Sequence, residues 1–436
     1  MGRPANPRPG FRADRGACRN CRLNRQNCRS HLERLNPRYS TTGENELRTT
    51  AGVVIIGGGI MGASIAYHLS EKGFNDVNLL ERKHLAAEGT GHSGALVRQH
   101  YSQDPIVKMA VRSVRIFEEF EDRTGRTGVF SQTGWIKIGS ADMRAEMERL
   151  IERHRPLGVK ADLLTIDELE KLIPGINTDG IGSALIEHGG GHADPVATTE
   201  GLADVARSRG VKVVEGVSAT GISVTANRVS GVTTDDGEIS TEIIVNAAGP
   251  WSPEVAGWVG IDLPIKVTRE QDLILETDDA NLRPEYPVSD GLDRIYWRRD
   301  RGRLLTGDGH PKENEFVNPN DYKNTHDANF ELELMGRLKH RIPGFADHAR
   351  VIGGYASLYD VTPDWHPILG KVDGIDGYIN CNGWSGHGFK LGPSVGELIA
   401  EDIVDGKSSS IDISSLGLDR FEKGALLSGS YAGNQA

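Results

Sequence analysis

Three glycines at fixed spacing have the clearest chemical meaning in this 436-residue sequence. Gly57-x-Gly59-x-x-Gly62 follows the apolar run Val53–Ile56 and opens a helical pattern, and Glu81 ends the next apolar run. Glycines in such a turn let backbone N–H groups approach a pyrophosphate, and an acid at this distance accepts hydrogen bonds from a ribose. The order strand, glycines, helix, strand and acid predicts a dinucleotide site that favours NAD or FAD over NADP.

Two further glycine-rich segments carry basic side chains. Arg98 lies in GTGHSGALVRQHY, and Lys390 ends NGWSGHGFK, which opens an amphipathic helical pattern. An arginine fork and a lysine ammonium both suit a carboxylate. By themselves, an ordinary ion pair for Arg98 and a solvated loop position for Lys390 are the alternatives. These segments therefore predict only a candidate site for an anionic group.

The elements around these motifs alternate between helix and strand. The spacing predicts a helix over residues 103–122, a strand over 130–140, a helix over 141–154 and a helix that starts near Asp194-Pro195. Asp236-Gly237 is a hairpin signal within a strand-rich stretch. This alternation is typical of an α/β fold with a second, strand-rich part.

Composition limits the class of protein. The chain is long enough for two domains, its mean hydropathy is −0.39, and no run of about eighteen apolar residues predicts a membrane span. The net charge is −11 although the first 50 residues hold eleven arginines, so the body is acidic and we expect no nucleic-acid partner. Three of the four cysteines lie in the first 50 residues, which favours a reducing compartment.

The segment 1–50 is rich in arginine and proline and is expected to be disordered. Cys18, Cys21, Cys28 and His31 are candidate zinc ligands, but the spacing lacks the second half of a binuclear cluster, and no metal is predicted. We expect a cytoplasmic protein. The alternative is the mitochondrial matrix, if this segment is a transit peptide.

A dinucleotide pattern followed by GTGHSGALVRQHY resembles the D-amino-acid oxidase superfamily of FAD enzymes, in its sarcosine oxidase and dimethylglycine dehydrogenase branch. The motifs VNAAGPWS and GHGFK extend the resemblance over about residues 51–425. It implies an α/β fold in which a Rossmann-type FAD-binding domain is interleaved with an α+β substrate domain on a mostly antiparallel sheet. The implied FAD-binding segments are 51–129, 190–260 and 345–425, the substrate segments are 130–189 and 261–344, and 426–436 is a flexible C-terminus.

The resemblance also implies site residues. The implied FAD-binding residues are Gly57, Gly59, Ile60, Met61, Gly62, Glu81, Arg82, His92, Ser93, Gly94, Val217, Ala248, Gly249, Trp251, Gly386, His387, Gly388, Phe389 and Lys390. Arg98 and Lys390 match family residues that bind a substrate carboxylate, and His387 and Tyr359 complete the implied catalytic set. The aromatic residues Tyr101, Tyr296 and Trp297 are further candidates for the pocket wall, with plain core packing as the alternative.

Covalent flavin attachment is left open by the sequence. The family's attachment cysteine is replaced here by Ser357, and His92 stands where related enzymes use a histidine, although the preceding tryptophan is missing. His92 in contact with the pyrophosphate or with solvent is the alternative.

The predicted function is FAD-dependent oxidation of the C–N bond of a small secondary or tertiary amino acid, such as sarcosine, to an imine that water hydrolyses. Oxidation of a D-amino acid, glycine or a 2-hydroxy acid is the alternative on the same fold, but a hydroxyl needs a base and none is evident in the sequence. A non-catalytic flavoprotein assembly factor is the alternative in another class. The electron acceptor is oxygen or a carrier protein. A carrier is favoured because residues 301–307, which loosely match the family's oxygen-reactive segment, contain no lysine.

Overall fold

The computed structural model describes residues 47–309 and 313–429. The candidate zinc ligands Cys18, Cys21, Cys28 and His31 lie outside this part of the chain. None of the described helices is long and apolar enough to cross a membrane.

The described residues form strands and helices in alternation. The strands are β1 (Val53–Ile56), β2 (Val77–Glu81), β3 (Leu96–Val97), β4 (Phe130–Ser131), β5 (Trp135–Gly139), β6 (Ala161–Leu163), β7 (Ser183–Glu187), β8 (Gly191–Ala193), β9 (Lys212–Glu215), β10 (Ala219–Thr225), β11 (Arg228–Thr234), β12 (Gly237–Ser240), β13 (Ile244–Asn246), β14 (Lys266–Thr277), β15 (Val288–Asp290), β16 (Ile295–Asp300), β17 (Arg303–Asp308), β18 (Ala349–Val361), β19 (Ile368–Val372) and β20 (Ile375–Asn382). The α-helices are α1 (Ile60–Glu71), α2 (Asp104–Glu118), α3 (Phe120–Thr124), α4 (Arg144–His154), α5 (Ile166–Leu172), α6 (Pro195–Ser208), α7 (Ser252–Gly257), α8 (Ala328–Arg341), α9 (Pro343–Ala346) and α10 (Gly388–Val404).

The first sheet contains the parallel strands that hold the glycine motif. Its order is β10-β11-β20-β13-β1-β2-β9, and β20, β13, β1, β2 and β9 pair in parallel. All four residues of β1 are buried, which explains why this strand is a continuous apolar run. Helix α1 connects β1 to β2, so the predicted Rossmann-type unit is confirmed.

The second sheet has the order β18-β14-β17-β16-β15-β5-β7-β6. Its pairs are antiparallel except for β15 with β5. One face covers an apolar core with helices α5 and α8, in which Ile136, Trp297 and Leu334 are buried. This sheet confirms the predicted mostly antiparallel substrate part.

Two small residues bring helices α1 and α10 close together. A Cβ on Gly396 would lie 2.2 Å from Ser64 Oγ, and a Cβ on Gly392 would lie 2.5 Å from Ile60 Cγ1. His68 Nε2 lies 2.9 Å from the carbonyl oxygen of Pro393 inside α10. The close contact holds the N-termini of the two helices at the same edge of the parallel sheet.

Residues near both ends of the described chain pack against the rest of the fold. Leu47 packs against the core, and Thr50 forms a parallel bridge with Ser240. At the other end Leu427 packs against the core, and its N–H donates to Asp364. Leu47 and Leu427 are thus half-buried apolar contacts within segments that the sequence predicts to be disordered or flexible.

Candidate active site

A cavity of about 470 Å³ lies at the carboxyl edge of β1 and β13, where the glycine turn meets the N-terminal ends of α1 and α10. Its volume is within the range of cofactor sites. The predicted cofactor residues that line it are Gly57, Gly59, Ile60, Met61, Glu81, Arg82, Ser93, Val217, Ala248, Gly249, Trp251, Gly386, Gly388 and Phe389.

The backbone of the turn after β1 requires glycine. Gly57 has φ of +115°, and a Cβ there would lie 2.3 Å from the carbonyl oxygen of Ala247, the residue after β13. A Cβ on Gly62 would lie 2.0 Å from Gly57 O, so Gly62 acts through the packing of α1 on the turn and does not line the cavity. The Ile60 N–H donates to Thr90 Oγ1 at 3.1 Å, and the next residue of the first turn of α1, Met61, also lines the cavity. A helix N-terminus at this position suits a diphosphate.

Glu81 closes one end of this cavity at the end of β2. Its two carboxylate oxygens accept hydrogen bonds from the N–H groups of Gly58 and Lys83, each at 2.8 Å. The neighbouring Arg82 guanidinium lies 3.8 Å from the centre of the Trp251 ring, and both side chains line the cavity. An oriented carboxylate next to a flat aromatic surface is the arrangement that the ribose and adenine of a dinucleotide need. The chain's residues therefore fit FAD.

A second, smaller cavity of about 150 Å³ adjoins the first and shares Ser93, Tyr359 and Gly386 with it. Its walls come from the segment after Glu81, the second sheet and the start of α10. Its lining includes the predicted residues Gly94, Arg98, Tyr296, His387 and Lys390. Residues far apart in sequence therefore meet beside the cofactor cavity.

Lys390 is buried in the first turn of α10, and only 8% of it is exposed. Within residues 47–309 and 313–429 its ammonium has no hydrogen bond or ion pair. Burial holds the pKa of Lys390 well below its ordinary value, and the charge of Arg98 lowers it further. An anion that enters the cavity would compensate this charge.

Arg98 lies between this lysine and two aromatic rings. Its guanidinium is 4.1 Å from the ring centre of Tyr101 and 5.5 Å from that of Trp135. One guanidinium nitrogen donates to His100 O, and the other lies 3.3 Å from His387 Nδ1. This packing fixes the position of a guanidinium that lines the smaller cavity, as a carboxylate-binding fork requires.

The tyrosines of the smaller cavity are connected to a buried carboxylate. The Tyr296 hydroxyl donates to Asp272, whose side chain also neighbours Gly307, where a Cβ would lie 2.0 Å from Asp272 Oδ1. Tyr359 is half-buried on β18, beside Gly386. Burial raises the pKa of both tyrosines well above the ordinary value, so both hydroxyls remain protonated.

Three candidate side chains lie outside both described cavity linings. Trp297 alternates with Tyr296 along β16 and faces the apolar core on the other side of the sheet. Tyr101 is buried beneath Arg98 and is not part of the described cavity wall. His92 lies outside the described linings of both cavities, with Nδ1 3.0 Å from Glu88 O and its ring 5.1 Å from that of Tyr355.

The residues that sequence reasoning missed come mainly from the second sheet and from loops. They include Lys137, Trp135, Ser289 and Asp290 in the smaller cavity and the loop 86–90 in the larger one. The sequence did contain a signal for Lys137. It lies between Ile136 and Ile138 on β5, and because side chains alternate along a strand, it must face the side opposite to these two residues. The sequence does not show that this side lines a cavity, because that depends on which distant strands pair with β5.

Three comparisons connect this geometry to known proteins. A family model described as FAD dependent oxidoreductase matches residues 52–402. The 4-methylaminobutanoate oxidase (formaldehyde-forming) of Paenarthrobacter nicotinovorans is 28% identical over 396 residues, which cover 88% of this chain and 47% of that protein. Human mitochondrial dimethylglycine dehydrogenase is 28% identical over 399 residues, which cover 88% of this chain and 46% of that protein. This chain therefore spans about half the length of these curated relatives.

A solved structure resembles this chain over the whole of the solved chain. The crystal structure of L-proline dehydrogenase from P. horikoshii superposes with a TM-score of 0.81 at 28% identity. The match covers 87% of this chain and 100% of that chain. The likeness therefore includes both sheets and not the glycine motif alone.

Proposed function

The chain belongs to the DAO family of FAD dependent oxidoreductases and has FAD as its cofactor, and from this premise we propose that it oxidises a small secondary or tertiary amino acid. The reaction breaks a C–H bond next to nitrogen and forms an imine, which water hydrolyses to an amine and a carbonyl compound. The substrates named for two relatives, dimethylglycine and 4-methylaminobutanoate, are both N-methyl amino acids.

The observation that carries this proposal is the pair of cations in the smaller cavity. Arg98 supplies a fixed guanidinium fork, and Lys390 supplies a buried ammonium without a partner in the described chain. Together they bind the substrate carboxylate. Their charge also disfavours an ammonium in the same cavity, so the amine reacts with its lone pair available.

FAD, when bound, supplies the acceptor for a hydride from the carbon attached to nitrogen. The protein holds this cofactor with the glycine turn, the N-terminal ends of α1 and α10, and Glu81. Tyr359 and Gly386 line both cavities, so they border the place where substrate and cofactor meet. Buried Phe389 and half-buried Tyr359 lie at this border and limit access of water.

A 2-hydroxy acid is the second candidate substrate, because the structure reveals a proton acceptor that the sequence did not. Asp272 accepts a hydrogen bond from Tyr296, and Tyr296 lines the smaller cavity. A hydroxyl proton could pass to Asp272 through the tyrosine. An amine that binds unprotonated does not need this path.

Anaerobic flavin reduction tests the two candidates and the assembly-factor alternative together. The oxidised flavin absorbance should disappear on addition of an N-methyl amino acid, more slowly with the D-amino acid, and not with the 2-hydroxy acid of the same carbon skeleton. Reduction by the hydroxy acid alone would favour the Asp272 path. No reduction by any member of the panel would contradict catalysis.

The electron acceptor is proposed to be a carrier protein. Arg301 is exposed and pairs with Asp194, and Arg303 pairs with Glu276, so neither cation lines the described cavities. Peroxide formed at the rate of substrate turnover would contradict this part of the proposal.

A further inference from the structure

A third basic residue, Lys137, lines the smaller cavity with Arg98 and Lys390. It lies at the middle of β5, where Ile136 and Ile138 point into the apolar core. Because side chains alternate along a strand, Lys137 points to the opposite face. Only 8% of this lysine is exposed, so its charge is directed into the cavity and not into bulk solvent.

The carboxylates in the wall of this cavity already have cationic partners. Asp290 Oδ2 lies 2.6 Å from Arg341 Nε, and its Oδ1 accepts from the N–H of Leu292 at 2.8 Å. Asp308 forms an ion pair with Arg337. Each of these acids therefore already has an arginine partner outside the cavity lining.

Burial and the charge of Arg98 shift the pKa values of both lysines. Burial, followed by the charge of Arg98, lowers the pKa of Lys137 to about 7, and Asp290 opposes this shift only in part. The same two causes lower the pKa of Lys390. The charge of Arg98 therefore acts on both lysines, and a bound anion would stabilise the charged form of each.

The two lysines come from different parts of the cavity lining. Lys390 follows Gly386, which also lines the cofactor cavity, whereas Lys137 lies on β5 of the second sheet. Lys137 stands on the same strand face as Trp135, whose indole N–H donates to Ser289, a residue that lines the smaller cavity alone. A ligand with one carboxylate at Arg98 and Lys390 would extend its other end towards Lys137.

We infer that the substrate carries a second acidic group and that Lys137 binds it, so the preferred substrate is a small secondary or tertiary amino acid with two carboxylates. This inference rests on the proposed function and specifies its substrate class. The volume of about 150 Å³ limits the substrate to a short dicarboxylate. Lys137 acts here as a residue that determines specificity, and the carboxylate nearer the cofactor remains with Arg98 and Lys390.

Two unreactive thioethers test the inference by binding alone. Methylthioacetate has one carboxylate and thiodiacetate has two, and sulfur replaces the oxidisable nitrogen in both. Each is titrated into the holoenzyme, and the perturbation of the flavin spectrum gives the dissociation constant. We expect thiodiacetate to bind about ten- to a hundred-fold more tightly, the effect of one charge-assisted contact in a buried site.

Lys137→Met should remove this preference and leave the affinity for methylthioacetate within about threefold of the native value. Lys137→Arg should retain the preference, and Lys371→Met, which changes a half-exposed surface lysine, serves as the matched control. Flavin content and the thermal midpoint report on folding. If the methionine variant does not fold, the native protein and the arginine variant still give the comparison of the two ligands.

The results distinguish failure of the second acidic group from failure of the proposed amino-acid oxidation. Equal affinity for the two thioethers in the native protein, or a preference that survives in Lys137→Met, would overturn the second acidic group and leave the proposed function intact. Absence of binding by both thioethers, together with no flavin reduction by any amino acid, would overturn the proposed function itself.

Discussion

Lys390→Met should change activity and stability in opposite directions. In the native chain a buried ammonium without a partner in the described residues lies in the first turn of α10, next to Arg98. Methionine has a similar length and fills the same space without charge. The variant should therefore lose carboxylate binding and gain thermal stability.

The effect on activity follows from the contact that is lost. A hydrogen bond between charged partners in a buried site contributes about 1.5–3 kcal/mol, which corresponds to roughly a ten- to 150-fold decrease in kcat/KM. Arg98 remains and keeps part of the carboxylate affinity. The decarboxylated amine of the same shape makes no such contact, so its kcat/KM should change by less than about threefold.

The effect on stability follows from the direction of the pKa shift. Burial lowers the pKa of Lys390 in the folded chain relative to the unfolded chain, so between these two pKa values the unfolded chain binds more protons. The free energy of unfolding of the native protein therefore decreases as the pH falls through this window. Lys390→Met lacks this dependence, so its advantage should be larger at neutral pH than near pH 10, close to the ordinary lysine value of about 10.4.

The assay combines anaerobic rapid mixing with thermal unfolding of the holoenzyme at several pH values. Lys371→Met is the control, because that lysine is half exposed and pairs with Asp402 on the surface. A Lys390→Met variant that loses the same activity towards the amino acid and the amine, or that is less stable at neutral pH, would refute the reasoning about this buried charge.

Two further predictions concern the cofactor and the carboxylate. Gly62→Val should give a colourless protein, because a Cβ there would lie 2.0 Å from Gly57 O and displace α1 from the turn; flavin content per chain measures this, and a fully loaded yellow variant would contradict it. Arg98→Ala should lower kcat/KM for the amino acid by roughly thirty- to a thousand-fold, since about 2–4 kcal/mol of charge-assisted binding is lost. The decarboxylated amine is the control, and an equal loss for both substrates with flavin retained would remove Arg98 from the carboxylate role.

The sequence by itself determined the parts of the protein that local patterns encode. Gly57-x-Gly59-x-x-Gly62 between an apolar run and a helical pattern predicted the strand, turn and helix, and the resemblance predicted the family and FAD, both of which are confirmed. Such a motif is readable because the turn, the helix and the parallel strands lie within about 30 residues of one another. Arg98 and Lys390 were predicted for the same reason, as parts of short motifs.

Only the tertiary structure decided which side chains share the smaller cavity. Tyr296 and Trp297 are adjacent in sequence, yet the pairing of β16 with β15 and β17 turns one towards the cavity and the other into the core. Lys137 reaches the cavity because β5 pairs with β15, about 150 residues later in the chain. A shift of one residue in either pairing would exchange the two faces, so the positions of these side chains follow from long-range register, which local sequence does not specify.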